Sequence, residues 1–227
     1  MTSESTFKKC PKILFHAHPD LDVLDLVGPF EVFAHARYGS YDEPPVFERT
    51  ITAATPTVAS NQDFTITSHI PLEEAYAKLA DYDILLIPGG GSHDVLKLHT
   101  EPFALIKAFA ALPKREDGGI RTLMTVCTGS IIAAETGILA NKTSVTHPLE
   151  MSRLIEIVEK QGGKVLPEAT FVVNPVDEEK QFRVVTAGGV STGIDAALWM
   201  VEQVCGKAAK EQVAYIVQHD IREGVIV

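Results

Sequence analysis

The 227-residue sequence predicts a single α/β domain built on a mostly parallel sheet with helices on both faces. Three observations carry that prediction. Short apolar runs alternate with stretches of helical periodicity along the chain. Two of those runs stop abruptly, one at a glycine cluster and one at a cysteine followed by small residues. A hydrophobic content of 45% in a chain of this length supplies one sizeable core.

The elements follow in order. "PKILFHAHP" (11–19) is an apolar first strand, and "DLVGPFEVFAHAR" (25–37) has helical spacing after Gly28-Pro29 punctuation. "FERTITAATPTVAS" (47–60) supplies β-branched residues for one or two strands, and "PLEEAYAKLADYD" (71–83) makes a short amphipathic helix. "DILLIPGGG" (83–91) is a buried strand that stops at glycines. Then come a helix in "EPFALIKAFAALPK", a strand in "IRTLMTVC", a helix in "SIIAAETG" closed by Gly137, and a short strand in "KTSVTH". "PLEMSRLIEIVEKQGG" is a helix ending at paired glycines. "ATFVV" and "QFRVVTAGG" flank the polar "NPVDEEK" as an antiparallel hairpin. The segment from Ser191 opens with an N-cap residue, runs helically to Gly206 and then restarts.

Composition narrows the partners. Twenty basic against thirty acidic side chains give a net charge of −10, which repels polyanions, so no nucleic-acid partner is expected. "MTSESTFKKC" lacks an apolar leader core, and no stretch approaches the roughly 20 apolar residues of a membrane span. A cytoplasmic protein without membrane contact is expected. Cys10, Cys127 and Cys205 are too few and scattered for a disulfide framework, and no paired-cysteine spacing points to zinc.

The chemistry concentrates around Cys127. A strand turning sharply into a helix exposes the turn residue at the carboxyl edge of the sheet, facing the unpaired N–H groups of the helix. There a thiol pKa falls from about 8.5 toward ~3.5–7.5. "TVCTGS" fits such an elbow, with Thr128, Gly129 and Ser130 leaving the approach uncrowded; the competing reading is a small buried hydrophobe. Cys205 sits in an apolar helical run as core filler, and Cys10 in a polar segment. Gly89, Gly90 and Gly91 allow close backbone approach to a ligand or make an ordinary strand-to-helix turn; no phosphate-loop lysine follows them. Asp25, in an apolar stretch, is either a carboxyl with raised pKa that donates a proton or a cap for the helix after Gly28-Pro29. His147 ends a strand at the edge where active sites of such folds assemble, as a proton-transfer group or a hydrogen-bonded helix start. His16 and His18 share one strand face, but no third ligand stands at metal-binding spacing, so no metal is expected.

Four stretches, "DLVGPFEVF", "DILLIPGGG", "TVCTGSIIAAETGILANKTSVTH" and "VVTAGGVSTGIDAAL", in this order and spacing resemble the ThiJ/PfpI superfamily of glutamine-amidotransferase-like proteins. The likeness covers residues 11 to 215. Asp25, where many relatives carry glutamate, and a threonine directly after the cysteine resemble the isocyanide hydratase branch. The resemblance implies a flavodoxin-like α/β sandwich with a nucleophile elbow, residues 1–10 forming a tail and 11–227 the family domain. It further implies Cys127 as nucleophile, Asp25 as its carboxyl partner and Thr128 as the third catalytic residue. Gly89, Gly90, His147, Gly189 and Val190 then line a small-molecule substrate, and Gly188 packs beside them, in a homodimer needing no cofactor.

Two departures stand out: Pro148 follows the histidine where hydratase-type relatives often have tryptophan, and the "NPVDEEKQ" hairpin is longer than in compact relatives. Family transcription regulators continue into a helix-turn-helix region, for which a chain ending at Val227 leaves no room. The expected reaction is attack of Cys127 on the terminal carbon of an organic isocyanide, with Asp25 supplying the proton and water releasing an N-substituted formamide. The alternatives are a cofactor-free glyoxalase or deglycase acting on methylglyoxal, and a sensor whose Cys127 is oxidised by peroxide.

Overall fold

The computed structural model describes residues 10–98 and 101–227, so the tail expected over 1–10 lies outside the described residues except for Cys10, which is exposed. The strands are β1 (Lys12–Ala17), β2 (Glu48–Ala53), β3 (Thr57–Ala59), β4 (Thr65–Thr67), β5 (Ile70–Pro71), β6 (Ile84–Ile87), β7 (Arg121–Val126), β8 (Thr143–Ser144), β9 (Lys164–Val165), β10 (Phe171–Val173), β11 (Phe182–Ala187) and β12 (Val225–Ile226). The helices are α1 (Val23–His35), α2 (Leu72–Ala77), α3 (Ser92–Leu98), α4 (Phe103–Ala110), α5 (Gly129–Glu135), α6 (Met151–Lys160), α7 (Thr192–Cys205) and α8 (Lys207–Ile216).

Among the described residues an eight-stranded sheet runs β12-β10-β11-β7-β6-β1-β2-β5. Every pairing in it is parallel except β10 with β11, the expected hairpin. Strands buried on both faces read as unbroken apolar runs, which is why β1, β6 and β7 stand out in the sequence. Successive residues then face opposite layers. Ile13 and Phe15 pack with Val32 of α1 and Leu198 of α7. Leu14 and Leu85 pack on the other side with Leu105 of α4 and Ile131 of α5. The predicted two-faced α/β architecture is the one observed. No helix among the described residues is long and apolar enough to cross a membrane.

One local expectation is corrected and two are refined. Gly28-Pro29 does not punctuate the chain before a helix; both residues lie inside α1. The helix begins six residues earlier than Pro29, because the Asp22 carboxylate caps it by accepting the Leu24 N–H at 3.2 Å. Gln62, on the tip of the β3–β4 hairpin, adds a second cap by accepting the Val23 N–H at 2.9 Å. "KTSVTH" holds the expected short strand, β8, which pairs with β9 in a separate two-stranded ribbon and not in the main sheet. Ser191 occupies the N-cap of α7 without a side-chain bond to the helix; its Oγ accepts from Arg222 at 3.0 Å.

Candidate active site

The carboxyl ends of β1, β6, β7 and β11 converge on one place. β7 delivers Cys127 as the first residue after the strand, and α5 starts two residues later. Cys127 has φ +56°, a left-handed conformation that an L-residue with a Cβ adopts at a cost of about 1–2 kcal/mol. The surrounding structure holds it there. Its N–H donates to the Ala187 carbonyl at 3.1 Å, which ties the elbow to the end of β11. Its carbonyl accepts the Ser130 hydroxyl at 2.9 Å and the Thr146 hydroxyl at 3.0 Å. These two hydroxyls escaped the sequence reading. Thr146 carries only a weak signal, a polar residue between apolar Val145 and His147.

α1 delivers Asp25 in its first turn, one helical turn below the Asp22 cap, so the capping alternative for Asp25 falls away. The carboxyl is fully buried. Oδ2 accepts the Gly89 N–H at 2.9 Å, while Oδ1 has no hydrogen-bond partner among the described residues. Burial is the main cause that lifts this carboxyl to about 8, and the Asp22 charge adds to it. The Gly89 N–H and the neighbouring Cys127 thiol pull the other way. The sequence expectation of a carboxyl held near neutrality is therefore met, by desolvation rather than by a like-charged partner.

The thiol departs from expectation. The start of α5 was expected to depress it, but burial first and the adjacent Asp25 carboxylate second push Cys127 up to about 12. The N–H groups of Thr128 and Val190 bond the sulfur and favour its charged form, and desolvation outweighs them. α5 is only seven residues long, which limits the positive potential it can offer. Cys127 is 6% exposed, so a resting thiol is the favoured state.

The Gly89-Gly90 turn closes the remaining side. Gly90 N–H donates to the Thr128 hydroxyl at 3.1 Å, linking the glycine turn to the elbow. A Cβ on Gly89 would stand 2.5 Å from the Thr128 nitrogen and 3.0 Å from Asp25 Oδ2, so only glycine lets the two strand ends meet. Val190 has φ +20°, an outlying conformation for a β-branched residue that brings its N–H onto the sulfur. Cys127, Asp25, Thr128, Gly89, Gly90 and Val190 thus form one cluster.

His147 and Gly189 form the next layer out. A Cβ on Gly189 would approach His147 Cδ2 to 2.8 Å, so the His147 ring edge packs close against that turn. His147 Nδ1 accepts the Leu149 N–H at 3.3 Å, which leaves Nε2 as the nitrogen available to a ligand. Gly188 donates its N–H to the Thr170 carbonyl at 2.9 Å, and a Cβ there would stand a tight 3.3 Å from the carbonyl oxygens of Ala169 and Thr170. Cys205 packs partly buried against the core, where burial pushes its thiol up to about 12.

His16 and His18 are both buried and stack with ring centroids 6.3 Å apart. Desolvation holds His16 down at about 3 and lowers His18 as well. Among the described residues no group of three metal-ligating side chains is present.

Chemically, the cluster offers a thiol, a carboxyl protonated near neutral pH and two N–H donors on the sulfur. It can deliver sulfur and proton to the same atom of a small substrate. A family model described as the DJ-1/PfpI family matches residues 11–203. Isonitrile hydratase of Pseudomonas putida is 24% identical over 195 residues, covering 86% of this chain and 72% of that protein. A ThiJ/PfpI family protein from Pseudomonas syringae superposes with a TM-score of 0.71 at 20% identity, over 97% of this chain and 80% of that one. Drosophila melanogaster DJ-1beta does so with a TM-score of 0.70 at 16% identity, over 93% and 99%.

Proposed function

The chain belongs to the DJ-1/PfpI family, and on that premise we propose that it is a cysteine-dependent hydratase converting an organic isocyanide and water to an N-substituted formamide. The observation that carries this reading is a buried carboxyl raised to about 8 and placed against the elbow thiol. The likeness to isonitrile hydratase supports it.

The resting site holds two neutral acids, Cys127–SH and Asp25–COOH, and the isocyanide R–NC meets both. Sulfur forms a bond to the terminal carbon while Asp25 gives its proton to that carbon and takes the thiol proton in return. The product is a thioimidate, R–N=CH–S–Cys127, and Asp25 ends as it began. No standing thiolate is required, which reconciles the mechanism with a thiol pushed up to about 12. The Thr128 and Val190 N–H groups stabilise charge as it develops on sulfur. Water then adds across C=N, and the tetrahedral adduct expels the thiol to leave R–NH–CHO. Thr128, fixed by Gly90, stands beside the adduct.

Purified protein should release formamide from an aryl isocyanide, and Cys127→Ala should release none. Asp25→Asn should lower the rate about 10²–10⁴-fold, the usual range for a positioned acid. Formamide formed equally by Cys127→Ala sinks the reading. Lactate from methylglyoxal in its place assigns the same thiol to glyoxalase chemistry.

A further inference from the structure

His18, just past the end of β1, takes no direct part in that chemistry, yet it touches the peptide that holds Asp25. Its Nε2 stands 3.2 Å from the Pro88 carbonyl oxygen and its Nδ1 stands 3.0 Å from the Pro19 carbonyl oxygen. The Pro88 carbonyl and the Gly89 N–H are the two ends of one peptide group, and that N–H donates to Asp25 Oδ2 at 2.9 Å. We propose that His18 is a positioning residue for Asp25: it carries a proton on Nε2, donates it to the Pro88 carbonyl, and through the Pro88–Gly89 peptide strengthens the N–H bond to the Asp25 carboxylate. The inference rests on the reading of Asp25 as the acid partner of Cys127.

The argument for Nε2 is electrostatic. A neutral imidazole has one proton, and this ring faces two carbonyls, so it must choose. The Pro19 carbonyl belongs to a peptide whose far end, the Asp20 N–H, donates to the neutral Ala59 carbonyl at 2.9 Å. The Pro88 carbonyl belongs to one whose far end donates to the Asp25 carboxyl, an anion once Asp25 ionises. A peptide giving its N–H to an anion is polarised and becomes the better acceptor at its oxygen, so above the Asp25 midpoint of about 8 the ionised carboxylate draws the proton to Nε2. Burial, which lowers His18, favours the neutral ring in which this choice is made. The titratable groups acting on the pair are Cys127 and Asp22 around Asp25, and His16 and Asp20 around His18.

The effect runs both ways. A bond strengthened by about 10–30% shifts the Asp25 ionisation by about 0.3–0.5 of a pH unit, two- to threefold in its constant. Titration of carbonyl-labelled aspartate by carbon-13 NMR, with Asp25→Asn to assign the signal, reads that shift. His18→Phe should raise the Asp25 midpoint by that amount, and His18→Gln, whose amide can still donate to Pro88, should restore it. An unmoved midpoint in His18→Phe overturns the proposal, as does an equal rise in both variants. Nitrogen-15 NMR of histidine in the unmutated protein above pH 8, where Asp25 is ionised, gives an independent test: a proton on Nε2 of His18 is expected, and a ring protonated on Nδ1 alone overturns the proposal even if neither variant folds. Formamide assays alongside keep the two ideas apart. A midpoint shift without turnover would leave the relay standing and remove the isocyanide reading, whereas turnover with an unmoved midpoint would do the reverse.

Discussion

The two ends of the central sheet put their buried charged groups to different use. At the amino end, Asp83 accepts the Lys12 N–H at 2.8 Å and pairs with Arg115 Nη1 at 3.0 Å. Arg115 also holds Asp117 through Nε at 2.9 Å and Nη2 at 3.0 Å. Arg121 donates to the carbonyls of Pro113 at 2.7 Å and Ala80 at 3.3 Å. At the carboxyl end Asp25 leaves Oδ1 without a hydrogen-bond partner among the described residues, and Cys127 and Val190 sit at positive φ. The first end spends its polar residues on closing the fold. The second keeps a carboxyl uncomfortable and a backbone strained, which are the conditions for moving a proton and presenting a nucleophile.

On that contrast, the largest loss of stability belongs to the amino end. Asp83→Ala removes the acceptor of a buried Arg115 and strands the Lys12 N–H, a loss of about 3 kcal/mol or more. Urea denaturation reads it directly. Formamide turnover per folded molecule should be unchanged, and a variant that keeps its stability would remove the structural role given to this end.

The carboxyl end should behave in the reverse sense. Asp25 is raised to about 8 in the folded protein from 3.8 when exposed, so folding favours its protonated form. Below pH 4 it is protonated in both states and has no effect. As pH rises from 4 to 8 the unfolded chain ionises first, and the native protein loses stability progressively. Asp25→Asn escapes that loss while its amide oxygen can still accept the Gly89 N–H. It should therefore match the unmutated protein at pH 4 and exceed it by about 1–3 kcal/mol at pH 8. A gain in stability with a fall in turnover marks a functional carboxyl. A variant destabilised at pH 8 would place Asp25 with the structural group.

How far each end is legible in the sequence follows the same division. The strands β1, β6 and β7 are visible because burial on both faces leaves them continuously apolar, and the elbow is visible because β7 ends in Cys127 and small residues. The true start of α1 is hidden, since Gln62 reaches it from a hairpin some forty residues away while Gly28-Pro29 mimics a boundary. β9, of two residues, is too short to show a period, and the strand in "KTSVTH" is visible while its pairing with β9 outside the main sheet is not. The residue types at the site are legible one by one, but the direction of the Cys127 shift is not. It depends on how deeply the thiol is desolvated and on Asp25 arriving from another helix, and both are properties of the packed molecule.

The smallest expected effect separates strain from chemistry. Replacing Cys127 with alanine removes the sulfur but keeps a Cβ at φ +56°, whereas replacing it with glycine removes both. Relief of the left-handed cost of about 1–2 kcal/mol, offset by about 0.5–1 kcal/mol of backbone entropy, leaves Cys127→Gly more stable than Cys127→Ala by roughly 0.5–1 kcal/mol. Gly137 gives the control away from the site: it has φ +83° and a Cβ there would meet nothing within 4 Å. Gly137→Ala should lose about 1 kcal/mol through backbone conformation alone. Equal melting temperatures for the two Cys127 variants, with the Gly137→Ala loss intact, would mean that the elbow stores no strain. The bonds from Ser130 and Thr146 to the Cys127 carbonyl would then be ordinary packing rather than the clamp that holds a nucleophile out of its preferred conformation.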